Sequence, residues 1–303
     1  MGLSSCFFTF THFLLSLLLF HSALAHFASS NKPLCHEDER SMLLQFKESL
    51  MINENSSSLF WDVPCRPKSE SWMSEEEDVE CCSWDGVQCN EKTGHVTKLD
   101  LSNSCLYGII NSSNRLFHLV HLKWLNLAYN DFNFSEIPSA IKNLSELSYL
   151  NLSGSSFSGK ISSSLGNLTK LVHLVLSINK LSDTLPATIG NLNSLEVLDL
   201  STNNFSSELP SSIGDLNFID VLDLSWNGFS GELPATIGNL SSLKQLSLSG
   251  CAFWGKLPLS LGNLTQLHSL ALPFNNFAGE YRATGRFECF PLQLLRSNSI
   301  ITQ

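Results

Sequence analysis

The chain has 303 residues, 43% hydrophobic and 15% charged, a composition that excludes disorder and allows a substantial buried core. Its formal net charge of -10 excludes nucleic acid as the main partner. That charge is concentrated: Glu70, Glu75, Glu76, Glu77, Asp78 and Glu80 crowd one short stretch, the pattern of a solvated acidic loop.

In chain order, the first element is an address label. Phe7 to Phe20 is apolar apart from Thr9, Thr11, His12 and Ser16, and Ala23-Leu24-Ala25 supplies an A-x-A cleavage pattern. The run is shorter than the ~20 apolar residues a membrane span needs. Residues 1–25 are therefore read as a secretion signal, and the expected location is secreted or on the extracellular face of the plasma membrane. Elsewhere no hydrophobic run of membrane length occurs, so no span is expected in this chain.

Export gives the cysteines a meaning. Five of them, Cys35, Cys65, Cys81, Cys82 and Cys89, fall close together, so a disulfide framework is expected within an N-terminal module. Paired C-x-x-C knuckles are absent, which argues against a zinc site. Residues 38–50 read as a helix with Met42, Leu43, Phe46 and Leu50 on one face and Glu37, Asp38 and Glu39 near its N-terminus, where the helix dipole favours them. It would serve as a lid, with Trp84 packed beneath.

From residue 96 the sequence repeats. Units open at Leu122, Leu147, Leu171, Leu195, Ile219, Leu243 and Leu267, a step of 25 and then of 24. Each opener is followed by an L-x-L pair such as Leu125 and Leu127, or Leu198 and Leu200; Val96, Leu99 and Leu101 start a slightly longer first unit. Then come an asparagine (Asn130, Asn179, Asn203, Asn227, Asn275, with Ser155 and Cys251 as substitutes), a phenylalanine or Leu181, and a proline turn. The period of two in L-x-L predicts a short strand with its leucines inward. The asparagine amide is suited to bonding free backbone groups of the turn and of neighbouring units. A unit burying about five apolar side chains at ~1.5–3 kcal/mol each cannot offset backbone ordering at ~1–2 kcal/mol per residue. Units must therefore stack, with strands ~4.8 Å apart in a parallel sheet lining a concave face.

The outward residues of those strands are candidates for ligand contact. Trp124, Tyr129, Tyr149 and His173 form an aromatic cluster across adjacent units, the residue types that anchor interfaces. Glu196, Asp199, Asp220 and Asp223 form an acidic patch suited to a basic peptide, although aspartate in "LDLS" also serves as a plain turn residue. Trp226 lies just beyond the strand of its unit. N-glycosylation sequons stand at Asn55, Asn111, Asn133, Asn143, Asn151, Asn167, Asn204, Asn239 and Asn263. Asn151 alone falls on the concave strands; the others are read as glycosylated. No catalytic motif is present: the histidines (His36, His95, His118, His121, His173, His268) fall in different units without ligand spacing. No enzyme activity, cofactor or metal is expected.

The unit L-x-x-L-x-L-S-x-N-x-F-S-G-x-L-P-x-x-I-G-N-L-x-x, as in residues 219–242, resembles the plant extracellular subclass of leucine-rich repeats. "CHEDERSMLLQFKESL" (35–50), "ECCSWDGVQCNEKTGHVTKLDLS" (80–102) and "SCLYGIINSSNRLFHLVHLKWLNLAYNDFN" (104–133) resemble the start of plant receptor-like proteins of the disease-resistance type. The resemblance implies an α/β repeat solenoid, a right-handed superhelix with a parallel concave sheet and a disulfide-stapled N-terminal cap over 35–95. About eight repeats follow over 96–279. It also implies the pairs Cys35–Cys81 and Cys82–Cys89. Residues 280–303 depart from the template, Tyr281 and Arg282 standing where an apolar residue and proline belong, so a truncated receptor is expected. Its partners would be a protein or peptide ligand or a glycan, with a kinase co-receptor, in defence or development signalling. The alternatives are a secreted inhibitor of a cell-wall-degrading enzyme, resembling polygalacturonase inhibitors, and a non-functional fragment.

Overall fold

The L-x-L leucines are the inner wall of a stack of coils. The computed structural model describes residues 33–53, 64–72 and 80–278. Residues 1–25, the sequon at Asn55, the acidic run Glu75–Asp78 and the segment 280–303 lie outside the described residues.

Each repeat contributes one short strand to a nine-stranded sheet, in the order of the chain. From the cap outward these are Val87–Cys89, Val96–Asp100, Trp124–Asn126, Tyr149–Asn151, His173–Val175, Val197–Asp199, Val221–Asp223, Gln245–Ser247 and Ser269–Ala271. All pairings are parallel except the first, where the cap strand runs antiparallel to Val96–Asp100. The register is fixed by one leucine per strand: Leu99, Leu125, Leu150, Leu174, Leu198, Leu222 and Leu246 stand side by side, each no more than 1% exposed. A slip of one residue would turn that row outward, so the hydrophobic pattern specifies the stacking.

A second parallel sheet, not expected from the sequence, runs beside the first. It is built from Ser158–Gly159, Lys180–Asp183, Asn204–Glu208, Gly228–Gly231, Ala252–Gly255 and Asn276–Phe277. Behind it the repeat phenylalanines stack: Phe205 on Phe229 at 5.5 Å, Phe229 on Phe253 at 6.3 Å and Phe253 on Phe277 at 6.1 Å. Offset stacking adds roughly 0.5–1.5 kcal/mol per pair beyond area burial. In most units a proline then caps a 3₁₀ turn, as before Ala187–Asn191 or Ala235–Asn239, with Ser162 and Asn114 in its place in two.

The asparagines tie coil to coil, as their amide chemistry suggests. Asn203 donates to the carbonyls of Leu176 (2.9 Å) in the preceding coil and Leu200 (3.1 Å) in its own, while its Oδ1 accepts from Leu181 N at 3.0 Å. Asn130, Asn179, Asn227 and Asn275 repeat the arrangement. The substitutes each donate one bond to the preceding coil, Ser155 Oγ to Leu127 O at 2.9 Å and Cys251 Sγ to Leu224 O at 3.3 Å. Burial pushes the Cys251 thiol up to about 11.

The lid is the helix Glu37–Glu48, which buries Leu43 and Phe46 and partly buries Met42; it ends two residues short of the expected 38–50, so Leu50 packs against the core from beyond its C-terminus. Trp84 is buried beneath it and stacks on Trp72 at 5.3 Å. Glu39 stands in the first turn with Glu37 and Asp38, as expected, and has a further role: it is 4% exposed, and its Oε2 accepts from Val96 N at 2.7 Å. It hydrogen-bonds the lid to the first repeat strand. Disulfides join Cys35 to Cys81 and Cys82 to Cys89, as the resemblance implies, and Cys65 to Cys105 in addition. The two that close loops of 46 and 40 residues each stabilise the cap by roughly 4 kcal/mol in the chain-entropy account.

Candidate functional site

Because parallel strands stack in register, residues about 24 positions apart become neighbours on the concave face. Lys98, Trp124, Tyr149 and His173 are register partners in four consecutive strands. Their side chains form a continuous stack. Lys98 Nζ lies 5.0 Å from the Trp124 ring centre, within cation–π range. Trp124 and Tyr149 stack face to face at 3.5 Å with an interplanar angle of 2°, and Tyr149 meets His173 at 5.7 Å in a tilted contact. The Trp124 indole N–H is shielded from solvent and has no hydrogen-bond partner among the described residues. An unpaired buried donor costs about 1–3 kcal/mol, a cost the stack carries in this state.

Tyr129 and Trp226 do not join that stack. Both occupy the residue before the repeat asparagine, where the chain turns through the left-handed region: φ is 57° at Tyr129, 56° at Ile178, 55° at Thr202, 56° at Trp226 and 61° at Phe274. This conformation is strained for residues with a Cβ, most of all the β-branched ones. The amides of Tyr129, Ile178, Thr202 and Trp226 are held by the next coil, for example Thr202 N on Ser225 O at 2.8 Å. Glycine takes this place in two coils, and there the preceding aromatic lies flat on it. A Cβ at Gly154 would stand 2.7 Å from Tyr129 Cδ1, and one at Gly250 2.7 Å from Trp226 Cε3. Trp226 also meets Phe274 at 5.9 Å, and the two are 57% and 52% exposed, a second aromatic ridge along the edge of the face.

The four acids of the patch have different surroundings. Asp199 and Asp223 are register partners, and each Oδ1 accepts from the amide and hydroxyl two residues on: Ser201 at 3.0 and 2.7 Å, Ser225 at 2.9 and 2.6 Å. Asn126 and Asn151 accept the same backbone bond from Ala128 and Ser153, so the position is a turn-former whatever its charge. Asp100 does likewise and also pairs with Lys68 Nζ at 3.1 Å. Burial would raise the Asp100 carboxyl, but the Ser102 and Lys68 bonds together hold it below its ordinary value. Asp220 pairs with Lys244 at 2.5 Å, whereas Glu196 is exposed.

The sequons at Asn111, Asn133, Asn143, Asn167, Asn204, Asn239 and Asn263 are all exposed. Asn143, Asn167, Asn239 and Asn263 each end a 3₁₀ turn, outside the concave strands. The concave Asn151 is half-buried, with its amide 3.3 Å from Tyr149 OH.

One cluster was hidden by linear spacing. His36, His95 and His121, far apart in sequence, stack in a row, with ring centres 3.8 Å apart at both steps. The expectation that the histidines are scattered thus fails for these three, because coil stacking brings separate units together.

Three comparisons bear on this geometry. The family model of the leucine rich repeat N-terminal domain matches residues 36–90, that of the leucine-rich repeat region residues 95–207, and the single leucine rich repeat residues 218–240 and 242–264. Receptor-like protein 6 of Arabidopsis thaliana is 45% identical over 141 residues, a match that covers 45% of this chain and 14% of that protein. Receptor-like protein EIX1 of Solanum lycopersicum is 38% identical over 160 residues, 49% of this chain and 14% of that one. Among solved structures, the Arabidopsis receptor kinase HAESA in complex with the peptide hormone IDA and the co-receptor SERK1 superposes with a TM-score of 0.62. It is 29% identical, over 84% of this chain and 45% of that one. The chain thus spans a small fraction of the receptor-like proteins it matches.

Proposed function

From a chain that belongs to the plant leucine-rich-repeat receptor-like proteins, we propose an extracellular recognition module whose concave face takes a peptide or a protein segment in extended form. The observation that carries this reading is the unbroken stack Lys98–Trp124–Tyr149–His173. Stacked aromatic rings give flat contact area with little side-chain entropy left to lose, which is how interface anchors work. The strip has opposite charge at its ends. Lys98 stands at one, and Glu196, Asp199 and Asp223 follow His173 at the other.

Five strand spacings of ~4.8 Å separate Lys98 from Asp223, so an extended peptide of about seven residues would bridge them. An acidic group would sit near Lys98 and a basic one near the aspartates. The exposed sequons on the 3₁₀ turns would carry sugar away from this face, and the reading requires the half-buried concave Asn151 to be unmodified. The surface offers binding rather than catalysis, since Asp199 and Asp223 each commit Oδ1 to a local turn. A kinase co-receptor would supply the cytoplasmic step; the HAESA complex includes a co-receptor, SERK1, for that protein.

The test is selection of a random-peptide display library on the secreted chain, followed by binding of the enriched peptides to variants. Peptides with an acidic and a basic residue about six positions apart are expected. Trp124→Ala and Tyr149→Ala should each weaken them by more than about tenfold, the loss of a hot-spot contact. Lys142→Ala, on a 3₁₀ turn, should leave them unchanged. Enrichment that survives both aromatic substitutions would place recognition elsewhere.

A further inference from the structure

We infer that the junction between lid and repeats is a site for a divalent transition metal of the zinc class, held by Glu39, His95 and His121. One ligand atom from each of the three lies within 4.8 Å of the others. Glu39 Oε1 and His95 Nδ1 are 3.2 Å apart. Zinc bonds of about 2.0–2.2 Å in tetrahedral array demand a ligand–ligand edge of roughly 3.3 Å, so two of the ligands already stand at working separation.

The carboxylate is fixed: Glu39 is 4% exposed and its other oxygen accepts from Val96 N at 2.7 Å. His95 is held in place from its far face by His36, stacked at 3.8 Å and itself anchored through Nε2 on Thr93 O at 2.9 Å. His121 stacks on His95 with a 32° tilt and is exposed, so it is the ligand free to swing onto the metal. A preorganised pair with a third, movable imidazole and an open fourth position is the ligand count of an accessible zinc site. Two imidazoles and a carboxylate suit zinc, copper or nickel better than calcium or magnesium. The neighbouring cysteines are not competitors, because Cys35, Cys81, Cys82 and Cys89 are paired as disulfides.

The three ligands belong to three separate parts of the solenoid: the lid helix, the start of the first repeat strand and the opening of the second coil. A bound metal would therefore clamp the lid onto the repeats and raise its resistance to unfolding.

The experiment uses the full secreted chain without a histidine tag, stripped with a chelator and titrated with zinc chloride by calorimetry. Cobalt chloride serves as a spectroscopic stand-in, and the melting temperature is followed in parallel. One metal per chain, a visible tetrahedral cobalt band and a raised melting temperature are expected. His121→Ala should lower the affinity by more than about tenfold and abolish the cobalt band. The metal-free melting temperature should stay in place, because the His121 side chain is exposed. His95→Gln provides the second variant, and should lose the band as well. Absence of binding at millimolar zinc overturns the proposal. So does binding that neither substitution weakens, which would mark the other histidines as adventitious ligands.

Discussion

At the residue scale, the polar groups inside the coils are the most informative. Asn130 is 3% exposed; its amide donates to Leu101 O and Leu127 O, and its Oδ1 accepts from the amides of Ser104 and Leu106. Asn130→Ala strands those buried groups and should cost about 3 kcal/mol by urea unfolding, since each unsatisfied partner costs ~1–3 kcal/mol. Asn130→Ser should cost less, because Ser155 keeps one such bond at the same place in its own coil. Equal losses for the two variants would contradict the bonding scheme.

Asp100 is a cleaner test of charge, because asparagine already makes the same backbone turn bond at Asn126 and Asn151. Its folded-state carboxyl is held below the ordinary 3.8, so its ionised form stabilises the fold above that value. The contribution is lost as pH falls through the lowered folded-state value. Asp100→Asn should therefore melt lower than the parent protein near neutrality, and the gap should close in acid below pH 3.8. A gap that persists unchanged in strong acid would show that Lys68 and Asp100 do not interact as drawn.

At the element scale, some structure was legible in the sequence and some was not, for separable reasons. The concave strands could be read because their signal is a strict alternation of leucines at a fixed period, and each strand's place follows from its neighbour's. The second sheet could not. Its strands are stretches such as Asn204–Glu208 and Gly228–Gly231, rich in serine and glycine and poor in strand-forming residues. They pair because the phenylalanine behind each one stacks on the next, a tertiary cause. The aromatic members Trp124, Tyr149 and His173 were legible for the same reason as the strands, since register made them neighbours. Tyr129 and Trp226 were assigned by position but not by orientation, because nothing local announces that the residue before the asparagine turns left-handed. The Glu39–His95–His121 group escaped because its members lie on three elements, and Glu39 read as an ordinary acidic residue at a helix start.

At the scale of the whole molecule, the stack is closed at one end by the lid and disulfides. In the last described coil, Leu267, Leu270 and Leu272 are partly buried, whereas Leu243, Leu246 and Leu248 one coil earlier are at most 1% exposed. Hydrophobic stabilisation in a stacked array depends on having a neighbour on each side. The coils bearing the Trp124–His173 strip have a neighbouring coil on both sides, and their inner leucines Leu125, Leu150 and Leu174 are fully buried.

That placement makes one measurement decisive. Val175→Asn writes an N-L-S sequon, with Leu176 and Ser177, into a concave strand while leaving every member of the strip and the buried Leu174 and Leu176 in place. Sugar at this site would cover the strip, while sugar at Asn167 or Asn239 stands on the far turns. The account predicts that the glycosylated Val175→Asn chain is secreted and folded yet no longer captures the peptides selected on the parent, and that enzymatic removal of the sugar restores capture. Undiminished capture with the concave sugar in place would contradict it.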